Sequence, residues 1–534
     1  MAEAVHESGP ARPMTMADGT PLKVALARAT RRSKIRAFLL VAPLLLFIII
    51  TFIIPIIDML LRSVDNPEVS EAIPQTVIEL EAWDGTGMPA ESVLAAFIQE
   101  MGDRSEEQRR NIGRMGARLN YEGGGFRSLI NKTQRAAAQI QKDPVQFALA
   151  GFNEAWEAPE TWVALDAMAN APDFAEILPE TAALLGPWTP GTPPFGEPLP
   201  NAETFSTILA EMAAASGNGT LGTLTDWMAA EDGGVADLIR STGASAGEIN
   251  ARPLQFALAG VDKDWADPGT WKTIKLVSSP VTASYYLNAI DRTYDPDGNI
   301  VMQPEWKQIY VQLFMKTIYV SIGVTIACLI LAYPISYLLA TLPASKGNLL
   351  LILVLLPFWT SLLVRTTSWI VLLQTQGVIN DTLVFIGVIS DEGRIEMIYN
   401  MTGTIIAMTH ILLPFMVLPM YSVMKTISPS YMRAARSLGA NPLIAFVRVY
   451  MPQTVPGIGA GSILVFILAI GYYITPALVG GQDGQLISNF IAYHMQRSLN
   501  WGLAAALGTI LLGIVLVMYW LYDRIVGIDN MKLG

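Results

Sequence analysis

The sequence predicts an all-α membrane protein with six transmembrane helices and a long, mainly helical polar insert between the first and the second. Three observations lead there. Of 534 residues, 52% are apolar and 15% charged, against about 25% charged in an ordinary soluble domain. Six apolar runs, at 38–61, 309–342, 349–373, 402–424, 457–479 and 502–522, each reach the roughly 20 residues that a helix needs to cross a bilayer. The charge is also segregated: residues 62–305 hold 35 acidic and 16 basic side chains, a net −19 in a chain whose total is −11.

Residues 1–35 read as a flexible basic arm, because they lack a repeating apolar face and contain Gly, Pro and Ser. Residues 36–61 form the first transmembrane helix. Its apolar stretch is too long for a cleaved signal peptide, and no small-x-small site follows it. Arg28, Arg31, Arg32, Lys34 and Arg36 precede it. Basic residues at helix ends are retained on the cytoplasmic side, so the N-terminus is expected inside. Six crossings return the 525–534 tail to the same side and leave the insert outside. Lys346 and the basic residues between 425 and 448 then fall on inner loops, as the same rule requires.

The insert, residues 62–305, repeats itself. Residues 144–162 align without gaps on 253–271 with eleven identities in nineteen positions, and both contain Gln-Phe-Ala-Leu-Ala-Gly. The same offset pairs Trp156 with Trp265. Two helical units, about 88–170 and 199–280, in a pseudo-twofold arrangement are expected, separated by a Gly- and Pro-rich linker at 186–200. The paired tryptophans are expected to fill each unit's small core. Helices are expected at 91–101 and 127–141. The only cysteine, Cys328, lies in the second span, so no disulfide can staple the insert.

The richest segment is 428–458. Ser428-Pro429 and Asn441-Pro442 each supply an N-cap followed by a proline at the first helical position. Gly439 stops the first helix, since a left-handed C-cap costs glycine nothing. Tyr431, Ala435 and Leu438 share one face of the first helix, and Leu443, Phe446, Val447 and Tyr450 one face of the second. Periodicity alone leaves two readings, a docking hairpin or one lying flat on the bilayer. Arg433, Ala434, Ala435, Leu438, Gly439 and Ala440, followed by Phe446, Val449, Pro452, Pro456 and Gly457-Ile458, resemble the coupling motif of ABC importer permeases. The resemblance implies a type I ABC importer permease fold, with its five-helix core in 306–524 and a hairpin that docks on a separate ATPase. Arg433 stands where that family usually has an acidic residue.

Pro357-Phe358-Trp359-Thr360-Ser361 with Arg365 and Trp369, and Gly471-Tyr472-Tyr473-Ile474-Thr475-Pro476, narrow the resemblance to permeases of spermidine/putrescine (polyamine) importers. The duplicated insert lies outside it. Trp359, Thr360, Ser361, Arg365, Trp369, Tyr472 and Tyr473 are the implied substrate path. Aromatic faces attract cations, although the same residue types also form belts at membrane interfaces. Arg365, Lys316 and His410 are ionisable residues inside spans and so functional candidates. For Arg365, snorkelling or a bond to a helix end is the alternative. His410 reads as a packed polar residue. Pro334, Pro357, Pro414, Pro419 and Pro476 are expected to interrupt their helices.

No G-x-x-x-x-G-K-[ST] loop occurs, so the chain does not bind ATP through one. The expected function is the permease subunit of an ATP-driven importer in the inner membrane, without enzymatic activity, metal, nucleic acid or cofactor of its own. The resemblance implies three protein partners: an ATPase dimer holding ATP and Mg, a second permease and a periplasmic solute-binding protein. Polyamine is the first substrate suggested; an opine, an amino-acid derivative or a sugar-like solute remain alternatives. A membrane-anchored sensor would account for the insert but not for the hairpin.

Overall fold

The computed structural model describes residues 22–142, 144–158, 161, 167–185, 202–230 and 232–526. The 186–200 linker, Trp162 and most of the 525–534 tail lie outside them. The described chain divides after Arg62 into two units.

In the first unit, the helix Leu22–Ile48 continues through a π turn, Ile49–Ile53, into Ile54–Arg62. Residues 22–35 are therefore helical, which corrects their assignment to a flexible arm. Residues 22–42 contain no Gly or Pro and are rich in Ala, Leu, Lys and Arg, all strong helix formers. The π turn lies directly before Pro55, whose ring cannot accommodate an ordinary helical turn beneath it.

In the second unit, Tyr310–Thr341, Met401–Thr426 and the continuous run Pro442–Ile470 are long apolar helices, and the last span covers Trp501–Arg524. With the first span, five helices are long and apolar enough to cross a membrane. A sixth span is reached when the bent pair Ala344–Trp359 and Leu362–Phe385, angled at 97°, is counted as one crossing. The span expected at 349–373 is broken at Pro357, as that proline suggests, where a 3₁₀ turn, Leu356–Trp359, replaces the α-helix. The fifth span is also shifted from the expected 457–479. It starts inside the hairpin at Pro442, stops at Ile470, and is followed by a separate short helix, Ile474–Val479. Pro476 supplies no N–H to continue the ladder across Gly471 and Tyr472. Pro334, Pro414 and Pro419 lie within unbroken helices, against expectation. The spans that carry them pack tightly, with Cys328 Sγ 3.4 Å from Thr409 O and Ser336 Oγ 3.3 Å from Val417 O.

The helices Glu91–Gly102 and Phe126–Ile140 form as the sequence suggests. The insert has two apolar cores. The first gathers Phe97, Met115, Leu119 and Ile130 with Leu258, Trp265, Trp271 and Val277. The second gathers Ile208, Leu224, Met228 and Ile239 with Leu149, Trp156 and Met168. Each core therefore draws on both halves of the insert. Trp265 Nε1 donates to Thr133 Oγ1 at 2.8 Å, and Trp156 Nε1 to Thr242 Oγ1 at 3.0 Å. The tryptophans are core residues, but each completes the core built mainly by the opposite half. The crossover occurs where Pro144–Phe152 meets Pro253–Val261. There a Cβ on Gly151 would lie 1.9 Å from Phe256 O, and one on Gly260 would lie 2.9 Å from Gly151 Cα. Only glycine allows this approach.

A two-stranded hairpin, Arg292–Tyr294 with Ile300–Met302, precedes the second span. It is absent from the helical expectation. Its turn carries Asp297-Gly298, with Gly298 at φ +83°, a hairpin signal that three-residue strands are too short to reinforce.

Candidate functional site

The second and fourth spans run side by side in the same direction, as the contacts at 328/409 and 336/417 require. The insert leads into the start of the second, and the 428–458 hairpin follows the end of the fourth. The hairpin therefore sits at the end of the helices opposite the insert.

Its first helix, Pro429–Ser437, is capped by Ser428 Oγ, which accepts from Ser430 N. It ends in a complete Schellman motif: Gly439 lies at φ +92°, Gly439 N donates to Arg436 O and Ala440 N to Ala435 O. Asn441 Oδ1 accepts from Ile444 N at 2.7 Å and starts the next helix. That helix runs through a π turn, Phe446–Tyr450, directly into the fifth span, Met451–Ile470. Pro452 and Pro456 therefore do not end it, which corrects the reading of a short, separate second helix. The π turn immediately before Pro452 relaxes the clash that a proline makes with the preceding turn. Gly457 lets the fourth and fifth spans touch, since a Cβ there would come 3.1 Å from Met420 Cα. Phe446 and Tyr450 pack on Tyr337 of the second span, both with ring centroids at 5.3 Å.

The tip is open. Leu438 is 90% exposed and Leu443 70%, which isolated apolar side chains do not explain, because they adjoin on one rigid turn. Lys425, Arg433, Arg436 and Arg448 are exposed around it, and no carboxylate occurs between Glu396 and Asp483.

Of the implied path residues, Arg365, Trp369 and Tyr472 come together. Trp369 Nε1 donates to His410 Nδ1 at 3.0 Å. Tyr472 hydrogen-bonds Thr475, and Thr475 lies 3.5 Å from Thr366 Oγ1. The Arg365 guanidinium is close enough to act electrostatically on both His410 and Tyr472, while its buried Nε has no hydrogen-bond partner among the described residues. His410 is a packed polar residue, as expected, and it packs within this group, its ring 5.2 Å from that of Trp369. Its signal in the sequence was its ionisable side chain within an apolar run. Trp359, Thr360 and Ser361 sit at the break between the paired helices, with Trp359 70% exposed. Ser361 O accepts from Arg365 N at 3.0 Å, but among the described residues no side-chain hydrogen bond or ring contact joins these three to the Arg365 group. Tyr473 is half-exposed, and its carbonyl accepts from Asn489 Nδ2 at 2.8 Å. Lys316 lies on a cavity of about 460 Å³ with Gln312, Tyr319 and Met401, away from this group. Among the described residues, no cluster of three or more His, Cys, Asp or Glu side chains could hold a metal.

Residues 315–526 match the family described as binding-protein-dependent transport system inner membrane component. The chain is 37% identical over 220 residues to the spermidine/putrescine transport system permease protein PotB of Escherichia coli, covering 41% of this chain and 79% of that one. This chain belongs to that family. It is also 34% identical to PotB of Haemophilus influenzae, with 41% of this chain and 76% of the relative covered. Among solved structures, a bacterial ABC transporter importing the acidic polysaccharide alginate is similar at a TM-score of 0.35 and 18% identity, over 43% of this chain and 81% of that one. The chain is accordingly a multi-pass membrane permease subunit of a binding-protein-dependent transport system. The matched region holds all five later crossings and the hairpin, and leaves out the insert.

Proposed function

We propose that this permease imports a polyamine such as spermidine or putrescine, driven by an ATPase dimer that docks on the 428–458 hairpin. The observation that carries the reading is the hairpin itself. It is capped at both helices, closed by a Schellman turn and joined to the second span, yet its apolar tip is bare. A partner surface would cover Leu438 and Leu443, and acidic groups on that partner would complement Arg433 and Arg436. ATP and Mg belong to that partner. A second permease completes the pore, and alternating access follows when ATPase closure pulls the hairpin. Both termini lie in the cytoplasm and the insert in the periplasm.

The substrate rests on the PotB relatives. The carboxylates within the second to sixth spans are Asp381, paired with Arg394 at 2.8 Å, and Asp523, one residue from the end of the last span, so aromatic faces and the Thr360 and Ser361 hydroxyls would receive an ammonium group, with groups from the second permease. Arg365 favours a second reading. A guanidinium whose buried Nε finds no partner among the described residues suits a solute with a carboxylate, such as an opine or another amino-acid derivative. Uptake of labelled spermidine by cells carrying the complete transporter, competed with putrescine and then with opines, decides between them. Competition by opines alone overturns the polyamine reading.

The insert is read as two copies, 67–171 and 172–277, that exchange their C-terminal segments and together dock the solute-binding protein. Equivalent bonds support the duplication. Glu100 caps the helix Pro74–Glu81 through Gln75 N, Thr76 N and Thr76 Oγ1. Glu211 does the same for Pro179–Leu185 through Glu180 N, Thr181 N and Thr181 Oγ1. The copies begin earlier than the sequence repeat suggests because the capped helices Pro74–Glu81 and Pro179–Leu185 precede it. The charge of −19 would speed encounter with a basic surface on the binding protein.

A further inference from the structure

We propose that the second span is a rigid strut that passes the arrival of the binding protein from the insert to the coupling hairpin, with Asp291 as its positioning residue. This rests on the reading that the insert docks the binding protein.

At its insert end, the strut is held by groups that the permease family region does not contain. Asp291 is 5% exposed, lies at φ +59°, and accepts from three backbone N–H groups at the start of the span. Its Oδ1 takes Ile309 N at 3.1 Å and Tyr310 N at 2.9 Å, and its Oδ2 takes Val311 N at 2.9 Å. A carboxylate there satisfies otherwise orphaned donors and meets the positive end of the helix dipole. Asp291 O in turn accepts from Gln303 N at 3.0 Å. Gln303 Nε2 donates to Asn288 Oδ1, and Asn288 Nδ2 to Ser284 Oγ. Ser284 Oγ donates to Glu122, which is paired with the buried Arg118 at 2.7 Å. An unbroken polar chain thus runs from the insert's first core to the first turn of the span.

The helix Ser284–Ala289 also rests on the last span. A Cβ on Gly502 would come 2.4 Å from the buried Tyr285 ring. The insert therefore cannot tilt without carrying the ends of both spans with it. At the far end, Tyr337 is clamped edge-on by Phe446 and Tyr450 of the hairpin, which stack on each other at 5.6 Å. Both clamps grip one unbroken helix of 32 residues, with about 40 Å of it between Tyr310 and Tyr337. A helix fixed at both ends by packed groups with few alternative arrangements transmits displacement instead of absorbing it.

The test uses the whole transporter, with ATPase, second permease and binding protein, in liposomes. Asp291→Gly removes the cap but fits φ +59° without strain, whereas Asp291→Asn keeps an acceptor and also tolerates that backbone. The glycine variant should keep basal ATP hydrolysis and the affinity for the binding protein, and lose at least five-fold in stimulation by that protein. The asparagine variant should recover most of it. Tyr337→Leu, at the other clamp, should reproduce the loss and serves if the glycine variant does not assemble. Full stimulation in Asp291→Gly or Tyr337→Leu overturns the strut. Full stimulation in a transporter whose insert is replaced by a short loop overturns the docking role itself, and so separates the two.

Discussion

Gly439 is the position where a single atom should decide coupling. Its φ of +92° is left-handed, and a Cβ there would meet nothing within 4 Å, so any penalty for substitution is conformational and not steric crowding by neighbours. Left-handed backbone costs an L-residue about 1–2 kcal/mol, with a β-branched side chain at the upper end. Escaping that strain means opening the Schellman turn, whose two bonds, Gly439 N to Arg436 O and Ala440 N to Ala435 O, contribute about 1 kcal/mol each. The formed turn would lose about 2 kcal/mol relative to open alternatives, roughly thirty-fold in population. A graded series follows: Gly439→Asn near wild type, Gly439→Ala reduced, Gly439→Val lowest, with uptake falling ten-fold or more. Solute uptake is measured beside membrane abundance by immunoblot and ATPase recovery on affinity purification. Equal uptake by the asparagine and valine variants would refute the reasoning, because the turn would then be irrelevant to coupling.

Other outcomes follow from the same geometry. Asn218→Cys is exposed in the insert and should react with an impermeant maleimide in intact spheroplasts, against a low background from the buried Cys328; reaction only after lysis would invert the topology. Trp369→Phe removes the bond to His410 and should lower uptake several-fold at unchanged abundance, whereas unchanged uptake would make the contact mere packing. Residues 62–305 expressed alone should unfold in one transition, because each core draws on both halves, and should bind the solute-binding protein more weakly as salt rises; two separate transitions by calorimetry would contradict the exchanged cores. His494 is 8% exposed, and burial pushes its pKa from 6.5 to about 4. Its folded form is neutral, so its stabilisation is present above pH 6.5 and is lost as pH falls towards 4, at most about 3 kcal/mol. Melting temperature should drop between pH 7 and 5 in the wild type and drop less in His494→Gln; equal drops would remove this histidine from the acid response.

Much of the molecule was legible in the sequence because its signals are local. Apolar run length marks spans, and the Ser-Pro, Asn-Pro and Leu-Gly-Ala sequences mark helix starts and a stop, since capping needs only neighbouring backbone. Boundaries were less legible where prolines stood. Pro357 and Pro476 coincide with breaks, whereas Pro414 and Pro419 do not, so a proline by itself does not mark where a helix ends. The arm at 22–35 was misread because charged, non-periodic sequence still forms a helix when it is rich in Ala, Leu and Arg and continuous with a span.

The sequence by itself determined the membrane class, the separate acidic insert, the internal repeat and the capped hairpin, all of which depend on composition or on residues a few positions apart. Only the tertiary structure decided which half of the insert each tryptophan completes, that His410 joins Arg365 and Trp369, and that Asp291 caps a helix nineteen residues away. Those pairings follow from chain crossings at glycines and from buried polar groups that must find partners. The partners lie distant in sequence, and no local pattern marks them.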